Sequence, residues 1–279
     1  MRNALIPVTS ESTNPQLVRT RARRSRIAGV DVEALSISHL NEIVIRTIEA
    51  GDHIVVANHN LHSIYLYHHD SKMRTFYSAA DHIHVDGMPI IGLGRLLGLP
   101  LSREHRVTFV DWMEPLASVA AKYGWRVFYL GSRPGVAEKG ADVLRHRYPG
   151  LRIKTAHGFF NPDPASQEAQ VTLAEIEAYR PQLLIVGMGM PRQEHWIVDH
   201  LDKLTANVIL NGGAALDYFA GAIPTPPRWA GRVGLEWLFR LASEPRRLWS
   251  RYLIEPWYIA CKVVGEIFAR RQCSPREYD

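Results

Sequence analysis

The side chains best suited to chemistry in this 279-residue chain follow short apolar runs. Asp86-Gly87 comes directly after Ile83–Val85. A carboxylate at a strand end, followed by a glycine that lets a substrate approach, suits a general base. Asp-Gly is equally a turn pair, and position alone does not separate the two readings. Asn58-His59-Asn60-Leu61-His62-Ser63 follows Ile54–Ala57. The amides of Asn58 and Asn60 and the imidazoles beside them suit sugar hydroxyls; the plainer reading is that Asn58 caps a helix. Arg106 and Asp111 stand ahead of an amphipathic stretch. An arginine fork suits a diphosphate, and a surface ion pair between the two is the plainer reading.

Three glycine turns complete the set. Gly131-Ser132-Arg133-Pro134-Gly135 follows Val127–Leu130 and opens a helix, where backbone N–H groups, Gly131's turn included, suit an anion or a nucleotide. Gly187-Met188-Gly189-Met190-Pro191-Arg192-Gln193-Glu194 lacks the third glycine of the full dinucleotide pattern. Gly189 permits close approach there. Gln193 and Glu194 suit a uracil or a ribose, while Glu194 alternatively complements a helix dipole. Asn211-Gly212-Gly213 precedes a third helix start.

Seven of the thirteen histidines fall between His53 and His84, which invites a metal reading. Yet no His-Glu-x-x-His pair and no Asp-x-Asp pair occurs, and no third ligand is evident. Neither a metal nor a cofactor is expected.

The elements that must carry these loops alternate. Strands are predicted at Ile54–Ala57, Ile83–Val85, Val127–Leu130, Arg152–Ala156, Leu183–Val186 and Val208–Leu210. Helices are predicted at Ile37–Glu49, Pro89–Leu97, Trp112–Tyr123, Val136–Arg147, Gln167–Tyr179 and Arg192–His200. This pattern means an α/β fold, a Rossmann-like, mostly parallel sheet with helices on both faces. Ligands of such sheets bind beyond the carboxyl ends of the strands, where the loops above lie. Gly221–Pro227 breaks the alternation, and beyond it four of seven tryptophans stand among nine arginines. That segment reads as a helical C-terminal appendage. The expected organisation is a basic flexible arm over 1–26, an α/β domain over 27–225, and an Arg/Trp-rich, membrane-associating appendage over 226–279.

Composition narrows the class. Hydrophobic content of 46% and charged content of 22% fit a folded globular chain. The net charge of +5 is uneven: residues 1–30 carry six arginines and one glutamate, and residues 226–279 carry nine arginines, one lysine and six acids. A mildly acidic body between basic ends argues for an anionic surface and against a nucleic-acid binder. Two late cysteines, Cys261 and Cys273, suggest a reducing compartment. Met1–Asn14 does not read as a signal peptide, and no apolar run is long enough to span a bilayer.

Taken together, the loops resemble the WecG/TagA/CpsF family of glycosyltransferases from about Ile27 to Tyr252. The resemblance rests on Asp81 with Asp86-Gly87, on Arg106-Val107-Thr108, on Phe128-Tyr129-Leu130-Gly131 with Pro134-Gly135, on Gly187 through Glu194, and on Gly234-Leu235-Glu236-Trp237-Leu238-Phe239-Arg240-Leu241. It implies an inverting enzyme that moves a hexose from a UDP-sugar to an undecaprenyl-diphosphate-linked saccharide. Asp86 would be the base, Asn60 would lie beside it, and Arg240, Arg247 and Arg251 would reach the donor diphosphate. Asn58–Ser63 is more similar to exopolysaccharide members that transfer glucose than to N-acetylmannosamine members. The implied partners are the UDP-sugar, the polyprenyl-diphosphate-linked acceptor and the inner face of the cell membrane, on which the protein would sit peripherally from the cytoplasm. Self-association stays open. So do two other functions: a nicotinamide-dependent oxidoreductase on a related sheet, and a non-catalytic nucleotide-sugar-binding scaffold.

Overall fold

The six apolar runs form one parallel sheet. The computed structural model describes residues 24–223, 236–243 and 245–272. Its main strands are β3 (Ile54–His59), β4 (His82–Val85), β5 (Arg126–Gly131), β6 (Arg152–Ala156), β7 (Leu183–Gly187) and β8 (Val208–Asn211), in the order β4-β3-β8-β7-β5-β6. A short antiparallel hairpin, β1 (Ser25–Ile27) and β2 (Val30–Val32), stands apart from the sheet. It is tied to β4 where the Glu33 N–H donates to the Ile83 carbonyl at 2.8 Å. Arg24 belongs to this folded part, donating to the carbonyls of Ala80 and Asp81.

The period of two along each strand assigns its side chains to two cores. Val127, Tyr129, Leu183, Ile185, Val208 and Leu210 face one side. There they meet α1 (Ile37–Ala50), α5 (Phe109–Tyr123), α6 (Val136–Arg147) and α9 (Ala215–Phe219). Phe128, Leu130, Leu184, Val186 and Ile209 face the other. They meet α3 (Ser71–Ala79), α7 (Gln167–Tyr179) and α8 (Arg192–His200).

A third cluster lies beyond β4. It joins the hairpin to α2 (Leu61–His69) and α4 (Met88–Leu96). The last helices among the described residues are α10 (Glu236–Ser243), α11 (Pro245–Leu253) and α12 (Glu255–Gln272). Ile259 and Val263 of α12 are buried in the third cluster with Ile27, Ala28 and Ile64. Glu266 of α12 accepts the Ala28 N–H at 2.9 Å. The opposite side of α11 and α12 is apolar and exposed: Trp249, Leu253, Trp257, Val264 and Phe268, with Trp257 74% and Phe268 60% exposed. No helix among the described residues is long and apolar enough to cross a membrane.

Two local readings change. α5 starts at Phe109 instead of Trp112, because the Thr108 hydroxyl accepts the Asp111 N–H at 3.1 Å and caps the helix there. Asp111 therefore lies within the first turn and not ahead of it. The segment Asn58–Ser63 is not a loop throughout, since α2 begins at Leu61 and its cap is Asn60, not Asn58.

Candidate active site

The strand order reverses at the middle of the sheet: β3 and β4 run outward on one side, β5 and β6 on the other, with β7 and β8 filling between. Such a point leaves a crevice beyond the strand ends. A cleft of about 1030 Å³ opens there, large for a small-molecule site, where roughly 300–1,000 Å³ is usual.

Its floor is built from strand ends. Asn58 and Asn60 come from β3, Asp86 from β4, Met188, Gly189 and Gln193 from β7 and the start of α8, and Asn211, Gly212 and Gly213 from β8. The Asp86 N–H donates to the His59 carbonyl at 2.8 Å, which sets the first residue beyond β4 against the last of β3. Gly87 then turns at φ +131°, a conformation side chains disfavour. Arg103, Arg106 and Arg192 bring positive charge to the lining, and Arg251 of α11 does so from the C-terminal helices. Arg106 also pairs with Asp111 at 3.1 Å, so the surface ion pair forms and both members border the cleft. His62 of α2 pairs with Glu255, the first residue of α12, at 2.8 Å, and both line the cleft. That pair joins the last helix to the wall beside Asn60.

Beneath the cleft runs a buried polar network. Asn58 donates from Nδ2 to the Asn211 backbone carbonyl and to Asn211 Oδ1, each at 3.1 Å. Asn211 Nδ2 donates to Glu194 Oε1 at 3.0 Å, and Gln193 Nε2 donates to the same oxygen at 2.8 Å. Gln193 Oε1 accepts the N–H of Gly189 at 3.1 Å and of Gly213 at 3.2 Å, so one amide ties two glycine turns together. The Tyr77 hydroxyl donates to the Asn58 carbonyl at 2.8 Å. Burial raises the Glu194 carboxyl above the ordinary range. Burial, aided by the charges of His68 and His84, lowers His59 to about 3. His59 lies stacked on Tyr77 with ring centroids 3.9 Å apart. Burial lowers His84 to about 4. Both imidazoles are thus neutral packing groups. Among the described residues, no group of three or more His, Cys, Asp or Glu is placed to hold a metal ion.

The cleft gathers Asp86, Asn58, Asn60, Arg106, Asp111, Gly189, Gln193 and Arg251 from the sequence candidates. Glu194 does not line it; the carboxylate is fully buried below, bound to Gln193 and Asn211. Gly131 does not reach it either. Gly131 ends β5, on the far side of β7 from β8, and a side chain there would collide with the Gly187 carbonyl 2.3 Å away. Its need is close strand packing. Arg240 and Arg247 stand in α10 and α11, but their side chains lie outside the described residues, as do residues 1–23 and 224–235. Sequence reasoning did not choose Arg103, Arg192, Asn211 or Glu255 as site residues, and it noted His62 only among the imidazoles after β3. Arg192 and Asn211 sit inside turns already singled out; the pairing of His62 with Glu255 has no local signal, because 193 positions separate them.

Residues 25–273 match the family described as "Glycosyl transferase WecG/TagA/CpsF family". An N-acetylglucosaminyldiphosphoundecaprenol N-acetyl-beta-D-mannosaminyltransferase from Staphylococcus aureus (strain MRSA252) is 29% identical over 169 residues, 61% of this chain and 64% of that protein. The protein of the same name from strain MW2 is 28% identical over the same shares. The aligned region thus spans less than two thirds of these relatives' length.

Proposed function

This chain belongs to the WecG/TagA/CpsF family of glycosyl transferases, and from that premise we propose that it transfers a hexose, of glucose or N-acetylmannosamine type, from a UDP-sugar to an undecaprenyl-diphosphate-linked saccharide with inversion. Membership sets the oxidoreductase alternative aside, and the incomplete glycine pattern agrees. The observation that carries the reading is the position of Asp86: a carboxylate at a strand end, lining a large cleft at the reversal of strand order, with five arginines, Arg103, Arg106, Arg147, Arg192 and Arg251, in the same lining.

The reaction follows from that arrangement. Asp86 takes the proton of the acceptor hydroxyl as its oxygen attacks the anomeric carbon. The bond from that carbon to UDP breaks on the opposite side, and UDP leaves with the electron pair. Arg103, Arg106, Arg192 and Arg251 face the charge that develops, and the turns at Gly189 and Gly213 let the substrate approach the backbone. Arg240 and Arg247 would add to this cationic wall. Excluding water protects the donor from hydrolysis, a task suited to α11 and α12 at the cleft wall.

A lipid-linked acceptor calls for a membrane surface. The exposed stripe Trp249, Leu253, Trp257, Val264 and Phe268 suits the headgroup level of a bilayer, and the exposed Arg246 of the same segment suits anionic lipid. The protein would then lie peripherally on the cytoplasmic side.

UDP release measured over a panel of UDP-sugars, with N-acetylglucosaminyl-diphospho-lipid as acceptor, tests the reading. Release that needs both substrates is expected. Absence of release with every donor, or equal release without acceptor, would overturn it.

A further inference from the structure

We infer that Gln193, Glu194 and Asn211 form a relay that holds Asn58 with its Oδ1 presented to the cleft as a hydrogen-bond acceptor, so that this position selects a ligand bearing a hydroxyl or amide N–H there. The inference rests on the transferase reading and adds to it a residue that sets specificity and a buried residue that positions it.

The polarity of every amide in the chain is dictated by backbone groups. Gly189 and Gly213 offer N–H groups, which only donate, so Gln193 must turn its oxygen to them and its Nε2 away. That Nε2 meets Glu194 Oε1, which must therefore accept. Asn211 reaches the same oxygen and must present Nδ2 to it. Its Oδ1 then points to Asn58, which must answer with Nδ2. The Asn211 backbone carbonyl, which only accepts, demands the same of Asn58 independently. Both ends of the relay agree. Asn58 is left with one polar atom, Oδ1, which takes no hydrogen bond from the described residues and is not among the sealed, unpartnered atoms. Asn58 borders the cleft, so that oxygen is directed to a ligand.

The relay does not need Glu194 to be charged. Its Oε1 accepts two N–H groups, as an amide oxygen would, while Oε2 is buried without a partner. A glutamine can therefore replace the glutamate in the relay, whereas an apolar side chain cannot. Without the acceptor, Asn211 loses its reason to face Asn58 with oxygen; the Asn211 backbone carbonyl alone then holds Asn58, and its orientation is fixed less firmly.

A double-mutant cycle tests this with Asn58→Ala, Glu194→Met, their combination and Glu194→Gln. The probes are UDP-N-acetylmannosamine and a short-chain N-acetylglucosaminyl-diphospho-lipid, with KM, kcat and Tm measured for each protein. Asn58→Ala should raise one of the two KM values roughly 2–10-fold, the range for one neutral hydrogen bond. The substrate whose KM moves is the one that donates. Glu194→Met should raise the same KM, and the double variant should lie within about 2-fold of Asn58→Ala. Glu194→Gln should restore the wild-type KM. If Glu194→Met does not fold, Asn211→Ala removes the same link and takes its place in the cycle. Losses that multiply in a folded double variant would overturn the inference. So would a Glu194→Gln protein as impaired as Glu194→Met, or KM values that ignore Asn58→Ala. If the wild-type protein does not use UDP-N-acetylmannosamine, the donor that it does use in the UDP-sugar panel takes its place; a wild-type protein that transfers from no donor of the panel would instead overturn the transferase reading, and this inference with it.

Discussion

Replacing Asp86 by asparagine separates basicity from shape at the proposed reaction centre. The backbone there is held by the Asp86 N–H to the His59 carbonyl at 2.8 Å and by the turn at Gly87, and asparagine keeps both. Asp86 is half-buried at the edge of the cleft, so the exchange swaps one carboxylate oxygen for an amide of equal size. Stability should move by no more than about 1 kcal/mol, a few degrees in Tm. Turnover should behave differently. General-base catalysis contributes roughly 10²–10⁴-fold, or about 3–5 kcal/mol of barrier. The arginines proposed to meet the diphosphate are untouched, so UDP should bind within about 3-fold of wild type, well under the 1.4 kcal/mol of a tenfold change. The assay is UDP release under saturating donor and acceptor, with titration calorimetry for UDP and a melting curve as controls. A folded Asp86→Asn protein that binds UDP and turns over within tenfold of wild type would refute the assignment of the base.

Three further outcomes follow from the same structure. His59 and His84 are held neutral by burial, at about 3 and about 4 against an ordinary 6.5. Below pH 6.5 the unfolded chain takes up protons that the folded chain refuses, so stability falls as pH drops toward 4, by up to about 1.4 kcal/mol per pH unit for each histidine; urea midpoints across that window should flatten in His84→Gln, and an unchanged slope would contradict the burial argument. Gly131→Ala places a methyl 2.3 Å from the Gly187 carbonyl, between two paired strands that cannot part, and should cost about 1–3 kcal/mol of stability by thermal melting, whereas a Tm within one degree of wild type would mean the strands yield. Trp257→Glu with Phe268→Glu should weaken sedimentation with anionic vesicles while leaving Tm unchanged, because both side chains are exposed; undiminished binding would exclude this stripe as the contact.

The order of strands and helices was legible from residue types alone. Apolar runs too short for helices, separated by amphipathic stretches and glycine turns, permit little besides a parallel sheet covered on both faces, and Val127 to Leu130 with Leu183 to Val186 divide between the two cores as the period of two requires. Asp86, Asn60 and the turn at Gly189 were also recognisable, because chemistry in such sheets collects after the strands and these positions are local to one strand end each. Which strand ends meet was not. Asn58 and Asn211 are 153 positions apart and touch only because β8 inserts beside β3, while Gly131, in an equally suggestive turn, is carried two strands away. Glu194 looked like a ligand-facing acid at a helix start, and its burial follows from how α8 packs on the sheet, which no short-range pattern encodes. The same holds for the last helix: a helical appendage was legible from composition, but only the fold decided that Ile259 and Val263 enter the core, that Glu255 meets His62 at the cleft, and that Trp257 and Phe268 stay outside. Local order reflects the chemistry of neighbours in the chain; a site assembled from distant strand ends exists only once the sheet has chosen its order.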